Sequence, residues 1–431
     1  MTMPQTRHYE MKDSGVEWIG RMPRHWRIER AKFHFRQSFE RGNSTPELLA
    51  ATQKHGMYPQ RLLEGVVQVM AGTDLQQFKS VHINDFVISL RSFQGGFERS
   101  DYEGVCSPAY QVFHADKQYD VKWLKWFFKN DMFIDAMNAL TVGIREGRNI
   151  KFDDFANSLL PVPPLSEQTA IAAYLDKKCA TIDAIIAEAK ASIEEYKSWK
   201  ASVIFETVTK GLNPNAEMKD SGVEWIGEIP KGWKVSAVKR HYSITLGKML
   251  ESVPQSNDAT LENYMCASNV KWGGIDTTTN RQMWFSPIEK EEYLLKEGDL
   301  LVMEGGSAGT SAIYRGEYAP CYMQNSVNKC CSKDGSLTHF LYYWMFLVYH
   351  SGHVESACNR ATIMHLTKEK LGRLPFVYAP KEEQASIVSY LDRKCSLIDG
   401  IILEKEDLIR ELENYKRSLI FEVVTGKRRV C

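Results

Sequence analysis

Two clusters of basic side chains are the first feature of this sequence that could bind a ligand. Residues 21–41 hold seven Lys or Arg residues against two acidic ones, and residues 231–248 hold five against none. Three members of each cluster match at an offset of 207 residues; they are Arg24, Arg27 and Lys32, followed by Lys231, Lys234 and Lys239. A charge run is usually a solvated face, but its recurrence at one spacing favours a surface that faces an anion.

The overall composition is that of an ordinary globular protein. The chain has 431 residues, 43% hydrophobic and 25% charged, which is enough for two or more domains. Its 54 basic and 54 acidic residues give a net charge of zero, which argues against a simple nucleic-acid coat. The longest apolar stretch is too short to span a membrane, and the polar N-terminus has no signal-peptide core, so we expect a cytoplasmic protein.

The sequence contains no motif of a known catalytic centre. Glu304 begins a Glu-Gly-Gly-Ser-Ala-Gly-Thr loop that lacks the Gly-Lys-Ser/Thr ending of a phosphate-binding loop. Nucleophile elbow, zinc-protease and dinucleotide motifs are missing, as is the Asn-Pro-Pro-Tyr string of amino-methyltransferases. The cysteines have no zinc-type spacing, so no metal site is expected. These gaps favour a recognition protein over an enzyme.

An internal repeat explains why the basic clusters recur. The string Met-Lys-Asp-Ser-Gly-Val-Glu-Trp-Ile-Gly occurs at residues 11–20 and again at 218–227. A second match, at an offset of 216, aligns residues 164–179 with 380–395 and extends to a shared Ile-Asp pair. Between these shared segments, residues 33–160 and 240–376 show almost no identity. Such self-similarity predicts two copies of one structural unit with different middles.

Each copy of the repeat ends in a predicted long helix. Over residues 164–210 and 380–425, apolar residues recur in steps of three, four or seven, which predicts helices of about 45 residues and about 65 Å. We predict that the two pack together as a coiled coil. The predicted seam is Ile182, Ile186, Ile193, Tyr196, Ile398, Ile402, Ile409 and Leu412. Lys200 and its equivalent Lys416 also fall on it; they fix the register or reach out to solvent, and the second interpretation is favoured.

The middles combine strand and helix patterns. Residues 86–90 and 299–303 read as strands that run into glycine-containing loops. Residues 121–130 and 337–349 are aromatic-rich and are predicted to be core helices. The shared Trp18 and Trp225 are predicted to pack their turn onto a helix. Residues 211–217 are predicted to link the two copies.

These repeated motifs resemble the specificity subunit of type I restriction–modification enzymes. The resemblance rests on two copies of Ser-Gly-Val-Glu-Trp-Ile-Gly, each followed by Pro and Trp, and two copies of Pro-x-x-Glu-Gln-x-x-Ile-x-x-Tyr-Leu-Asp. It implies an α+β fold with two mixed α/β target recognition domains, separated by two long antiparallel helices that form a coiled coil, in an internal pseudo-two-fold repeat. The implied boundaries are an N-terminal recognition domain at 1–163, a central long helix at 164–211, a second recognition domain at 212–379 and a C-terminal long helix at 380–431.

The resemblance also implies a function and partners. Each recognition domain would read one half of an asymmetric split site in double-stranded DNA, and the helices would set the half-site spacing. Two methyltransferase (modification) subunits would dock on the helices and bind S-adenosylmethionine. A restriction subunit, a translocase and nuclease that uses ATP and Mg, is a further implied partner. The chain itself would be non-catalytic, without cofactor, in the cytoplasm of a prokaryote.

Base contacts are expected from the loops that follow the predicted strands. Arginine suits guanine, and glutamine or asparagine suits adenine, in the major groove. The candidates for base contact are Arg91, Ser92, Gln94, Arg99, Arg145, Arg148, Ser307, Thr310, Ser311, Arg315, Gln324, Asn325, Asn328 and Arg360. For each of them, a plain surface role is the alternative. DNA phosphates, which position a protein without specifying a sequence, are assigned to the six repeat-matched basic residues Arg24, Arg27, Lys32, Lys231, Lys234 and Lys239.

Two rival functions remain open at this point. One is a coiled-coil adaptor that binds two protein partners and no DNA. The other is a self-contained methyltransferase–specificity fusion, against which the missing cofactor motifs argue. Salt-sensitive DNA binding would separate the specificity subunit from the adaptor.

Overall fold

The computed structural model describes residues 10–42, 47–63, 75–89, 96–139, 150–358 and 364–430. The chain divides into two compact units. Unit 1 comprises Met1–Lys190 and Glu406–Cys431, and unit 2 comprises Ala191–Lys405. The two long helices, Leu165–Lys210 and Lys381–Val424, each contribute one part to each unit. We call them long helix 1 and long helix 2.

Unit 1 builds its core on a four-stranded antiparallel sheet, here called sheet 1. In spatial order its strands are Phe35–Ser38, Gln111–Ala115, Phe86–Ile88 and Phe97–Arg99. The other described strands are Met11–Asp13, Arg21–Pro23, Arg27–Arg30, Leu49–Thr52, Gly56–Pro59, Lys79–Val81, Gly104–Cys106 and Leu159–Val162. The short helices are Val121–Phe127, Asp131–Ala139 and Phe152–Asn157, with 3-10 turns at Ala31–Phe33, Gln60–Leu62 and Leu75–Gln77.

Unit 2 repeats this plan with sheet 2. Its strands, in the same spatial order, are Tyr242–Leu246, Val327–Ser332, Leu300–Met303 and Ser311–Ile313. The remaining strands are Met218–Asp220, Glu228–Pro230, Lys234–Ala237, Thr260–Met265, Val270–Lys271, Gly274–Ile275, Arg281–Phe285, Tyr322–Met323 and Pro375–Tyr378. The short helices are Val238–His241, Pro287–Tyr293, Thr338–His350, His353–Ala357 and Lys368–Arg373, with a 3-10 turn at Ala267–Asn269.

The repeated decapeptide folds into the same hairpin in both units. Residues 11–13 pair with 21–23 in unit 1, and 218–220 pair with 228–230 in unit 2, in the same register. The indole of Trp18 packs against the rings of Phe127 and Phe133, and Trp225 packs against Trp344. Packing of this turn onto helices, predicted from the sequence, is thus confirmed.

The α+β class is confirmed, and most predicted elements form close to their expected bounds. The strands at 86–90 and 299–303 shorten to Phe86–Ile88 and Leu300–Met303, while both aromatic helices form. None of the described helices is long and apolar enough to cross a membrane. The domain boundaries implied by the resemblance stay a prediction.

Burial along the long helices follows the predicted seam. Ile182, Ile186, Ile193 and Ile398 are buried, and Tyr196, Ile402, Ile409 and Leu412 are partly buried. In unit 1, Ile409 and Leu412 pack against the core that holds Ile182 and Ile186. The coiled-coil geometry of this seam stays a prediction.

Candidate nucleic-acid interface

The start of each long helix is tied to its unit by a matched tryptophan–glutamate hydrogen bond. Trp26 Nε1 donates to Glu167 Oε2, and Trp233 Nε1 donates to Glu383 Oε2, both at 2.9 Å. Both indoles are 1% exposed. The repeated Pro-Trp and Glu-Gln motifs are therefore two sides of one contact that fixes the helix start against the domain.

The glutamine of each Glu-Gln motif makes a second, fully buried anchor. The side-chain oxygen of Gln168 accepts the backbone N–H of Asp120 at 2.7 Å, and that of Gln384 accepts the N–H of Leu337 at 2.9 Å. Each amide nitrogen donates to the carbonyl five residues before it at 2.8 Å. Both glutamines are 0% exposed, so these amides join the helix start, the preceding strand and the domain.

The aspartate of each Tyr-Leu-Asp motif accepts a hydrogen bond from an aromatic side chain on a short helix of the same unit. In unit 1 the donor is Trp126 Nε1, 2.9 Å from Asp176 Oδ1. In unit 2 the donor is the Tyr343 hydroxyl, 2.6 Å from Asp392 Oδ1. The aspartate is the same in both copies, whereas its aromatic donor is Trp126 in unit 1 and Tyr343 in unit 2. One acceptor on the long helices therefore binds two different donor side chains.

The lysine and aspartate shared by the long helices form ion pairs between them. Lys200 Nζ lies 2.6 Å from Asp399 Oδ2 in unit 2, and Lys416 Nζ lies 2.6 Å from Asp183 Oδ1 in unit 1. The two lysine side chains are only 19% and 25% exposed. The favoured interpretation, that both lysines simply reach solvent, is wrong, because each ammonium group binds a carboxylate of the other helix. Such a contact fixes the register of the two helices.

The candidate phosphate contacts all lie on the surface. Arg24, Arg27, Lys32, Lys231, Lys234 and Lys239 are exposed. Arg24 pairs with Glu10 at 3.2 Å, and its repeat equivalent Lys231 pairs with Glu217 at 2.7 Å. These exposed pairs contribute little to stability, about 0–1 kcal/mol each. The cations can therefore exchange a carboxylate for a phosphate at small cost.

The candidate base contacts of unit 2 separate into exposed and buried residues. Ser307 and Arg315 are exposed, and Gln324 and Asn325, which hydrogen bond to each other, are partly exposed at the end of sheet 2. Gly247 lies so close to the Gln324 carbonyl that any Cβ there would overlap it. Because the side chains of Ser307, Arg315, Gln324 and Asn325 are at least partly exposed, these four residues stay candidates for base contact.

The other three candidates of unit 2 are buried. Thr310 is 6% exposed, and Ser311 and Asn328 are 0% exposed. The Ser311 hydroxyl donates to the Gly309 carbonyl at 2.8 Å, and Asn328 Nδ2 donates to the Leu366 carbonyl at 3.3 Å. Side chains held inside the domain cannot reach a base edge, so we do not assign these three to DNA.

An equivalent side-chain amide in unit 1 indicates that Asn328 has a structural role. Gln111, at the equivalent position of sheet 1, donates to the Ile150 carbonyl at 3.0 Å and accepts the N–H of Phe152 at 2.7 Å. In both units this amide ties the sheet to the segment before a short helix. The sequence did not single out Gln111, because an amide within a strand carries no signal that tells a structural role from a ligand contact.

Among the candidates of unit 1, Arg99 lies within the described residues. Its side chain is 16% exposed and pairs with Asp101, and burial lowers its pKa. The candidates outside the described residues are Arg91, Ser92, Gln94, Arg145 and Arg148, together with Arg360 of unit 2.

Glu304 is a polar group at the end of sheet 2 that the sequence did not offer as a base contact. Its backbone is fixed between two segments, because its N–H donates to the Ser326 carbonyl and its carbonyl accepts the N–H of Leu366. Burial raises the pKa of its carboxyl group, and the nearby His365 opposes that shift. An ionised carboxylate at this position can accept a hydrogen bond from the amino group of cytosine.

Comparison with known proteins matches part of the chain to a family. Residues 250–414 match the model of the type I restriction modification DNA specificity domain. The resemblance predicted from the repeated motifs is thus confirmed. The matched segment contains three of the four strands of sheet 2 and the Ser307, Arg315, Gln324 and Asn325 side chains.

Curated relatives and solved structures agree with the specificity-domain match. The chain is 24% identical over 290 residues to the type I restriction enzyme MjaVIII specificity subunit, and 23% identical over 276 residues to the putative MjaX specificity subunit, both from Methanocaldococcus jannaschii. These matches cover 64% and 63% of this chain. The chain spans less than two thirds of the relatives' own lengths, 63% and 59%.

The fold is similar to those of two solved structures over nearly the whole chain. One is a chain from a study of complex assembly and conformational transition of the type I R-M system, with a TM-score of 0.72 and 15% identity. The other is the HsdS subunit from Thermoanaerobacter tengcongensis, with a TM-score of 0.53 and 16% identity. Each match covers 94% of this chain and 98% of the solved chain. At these identities the likeness concerns the fold.

Proposed function

We propose that this chain is the DNA sequence-recognition subunit of a type I restriction–modification complex. The observation that carries the proposal is the specificity-domain match over residues 250–414, together with the same sheet order in unit 1. Each unit would then present one recognition domain to one half of a split DNA site. The chain would read DNA without catalysing a reaction.

The two half-sites should differ in sequence. The frames of the two units are matched, down to the glutamine anchors at the helix starts, whereas residues 33–160 and 240–376 show almost no identity. Different side chains at the ends of similar sheets present different donors and acceptors to base edges. An asymmetric target follows from this difference.

The long helices would set the gap between the half-sites and hold the partner subunits. Several large apolar side chains on these helices are more than a third exposed within their units: Ile185, Trp199, Leu397, Leu403, Leu408 and Tyr415. Exposed apolar groups on a helical frame are typical of a surface that a protein partner covers. We assign this surface to two methyltransferase subunits, which would supply S-adenosylmethionine, and a restriction subunit would bring ATP and Mg.

Base-modification sequencing tests this proposal. DNA from cells with this gene and its cognate methyltransferase gene is compared with DNA from cells that lack only this gene. We expect a motif of two unlike half-sites with a fixed gap to lose its methyl groups in the deletion strain, and complementation should restore them. An unchanged methylation pattern, in cells where both proteins are expressed and associate, would favour the adaptor instead.

A further inference from the structure

A cleft on unit 2 is lined by cations that lack a carboxylate partner. It has a volume of about 400 Å³, and Lys239, Lys333, Lys368 and Arg373 line it. All four are exposed, and within the described parts of the chain none of them lies within 4.0 Å of a carboxylate oxygen of another residue. Many other surface cations of this protein are ion-paired, as Arg24 and Lys231 are.

A hydrogen bond and a close glycine contact hold the walls of the cleft together. The Lys333 ammonium group donates to the Lys239 carbonyl at 2.9 Å, which joins two walls of the cleft. Gly372 allows the short helix Lys368–Arg373 to approach closely, because a Cβ there would lie 3.2 Å from the Lys239 side chain. Glu369 also lines the cleft. Its pKa is lowered mainly by hydrogen bonds with its own backbone N–H and with Thr367, and less by the charges of Lys368 and Arg373.

The equivalent position in unit 1 has the same backbone but fewer cations. Lys333 N–H donates to the His241 carbonyl as Asp116 N–H donates to the His34 carbonyl, each at 2.8 Å. The helix Phe152–Asn157 of unit 1 precedes its strand as Lys368–Arg373 does in unit 2. Lys368 and Arg373 are thus replaced by Phe152 and Asn157, and Lys333 by Asp116, while Lys239 is matched by Lys32. The cationic cleft is therefore particular to unit 2 and is no requirement of the shared fold.

The helix that lines one wall of the cleft begins near the candidate base-reading end of sheet 2. Leu366 N–H donates to the Glu304 carbonyl at 2.7 Å, and the helix that carries Lys368 begins two residues later. A DNA strand whose bases met Glu304 and Gln324 would bring its next phosphates towards this helix. Anionic oxygens are the groups that unpaired Lys and Arg side chains bind most strongly.

We propose that this cleft binds the phosphodiester backbone of DNA, as an anchor that unit 2 has and unit 1 lacks. The inference rests on the proposed function, since the ligand is the DNA that the chain would read. Phosphate contacts supply affinity without sequence information. The anchor should strengthen binding to every duplex equally and leave the choice of target to the loops.

The test is the salt dependence of DNA binding by the complex of this chain with its methyltransferase partner. The probes are a duplex that contains the methylated motif and a scrambled duplex of the same length, between about 50 and 200 mM salt. For the double variant Lys368→Gln/Arg373→Gln, the slope of log K against log salt should shrink by roughly 1.8, because each lost phosphate contact removes about 0.9. The matched control, Lys271→Gln/Lys296→Gln, changes two exposed cations of unit 2 outside the cleft and should keep the slope.

Three results would overturn the inference. One is an unchanged slope of log K against log salt in the double variant. If the wild-type complex still prefers its motif in that experiment, the proposed function is not affected. Another is a change confined to the motif duplex, which would make the cleft a base reader. The third is loss of methyltransferase association without DNA, measured by size-exclusion chromatography, which would make it a protein contact. A wild-type complex without preference for its motif would instead refute the proposed function.

Discussion

Replacing Gln384 with leucine should loosen the junction between long helix 2 and the recognition domain of unit 2. The Gln384 side chain is 0% exposed and joins the N–H of Leu337 to the carbonyl of Ala379. Leucine has a similar volume but can make neither hydrogen bond. Each unsatisfied buried polar group costs about 1–3 kcal/mol, so the loss should be about 2 kcal/mol or more.

Hydrogen–deuterium exchange of the full chain can measure this loss where it occurs. The Leu337 amide stands directly before helix Thr338–His350, so peptides that cover its first turn report the local opening. A cost of about 2 kcal/mol corresponds to exchange faster by about 30-fold, since 1.4 kcal/mol is a factor of ten. Peptides from unit 1, where Gln168 is intact, should keep their rates.

The matched control makes the same change of residue type on the surface. Gln255 is exposed in unit 2, so Gln255→Leu should leave exchange at the helix start unchanged. Equal exchange rates in Gln384→Leu and Gln255→Leu would refute the reasoning, because they would show that the buried amide does not hold the helix start.

Three further predictions concern other contacts of the two units. Hydrogen bonds with Glu40 and Glu103 raise the pKa of His82 to about 9. The stabilisation that protonated His82 gives the fold is therefore complete below the ordinary pKa of 6.5 and is lost as pH rises towards 9. Over that window the unfolding midpoint of His82→Gln should decline less than that of the wild-type protein. A double-mutant cycle of Lys200→Ala and Asp399→Ala should give a coupling of about 0.2–1 kcal/mol, as expected for a pair at the edge of water, and zero coupling would deny the pair a role. Trp233→Phe removes the hydrogen bond to the start of long helix 2 and should lower the unfolding free energy of unit 2 by about 1–2 kcal/mol, whereas an unaltered denaturation curve would contradict that anchor.

The elements of this fold follow from local patterns in the sequence. Steps of three and four between apolar residues predict long helices that end within a residue or two of Lys210 and Val424. The strand at Leu300–Met303 follows from a short apolar run before a glycine loop. Such patterns are readable because each depends on residues close together in the chain.

The contacts that assemble the elements could not be read in the same way. Asn328 is a sequence candidate for contacting adenine, yet its side chain donates to the Leu366 carbonyl, 38 residues away in the chain. Lys200 was expected to reach solvent, yet its partner Asp399 lies 199 residues away. Residues so far apart in the chain form no periodic pattern in the sequence. The contacts of Asn328 with Leu366 and of Lys200 with Asp399 can therefore be seen only in the folded structure.

The central claim is that each unit reads its own half of a split DNA site. The most direct measurement replaces residues 212–379 with the corresponding region of a specificity subunit that has another target, and then sequences the methylated bases in cells that express the hybrid with its methyltransferase. We expect a new motif in which one half-site has changed while the other half-site is retained. Methylation at the original motif, or a change in both half-sites, would contradict it.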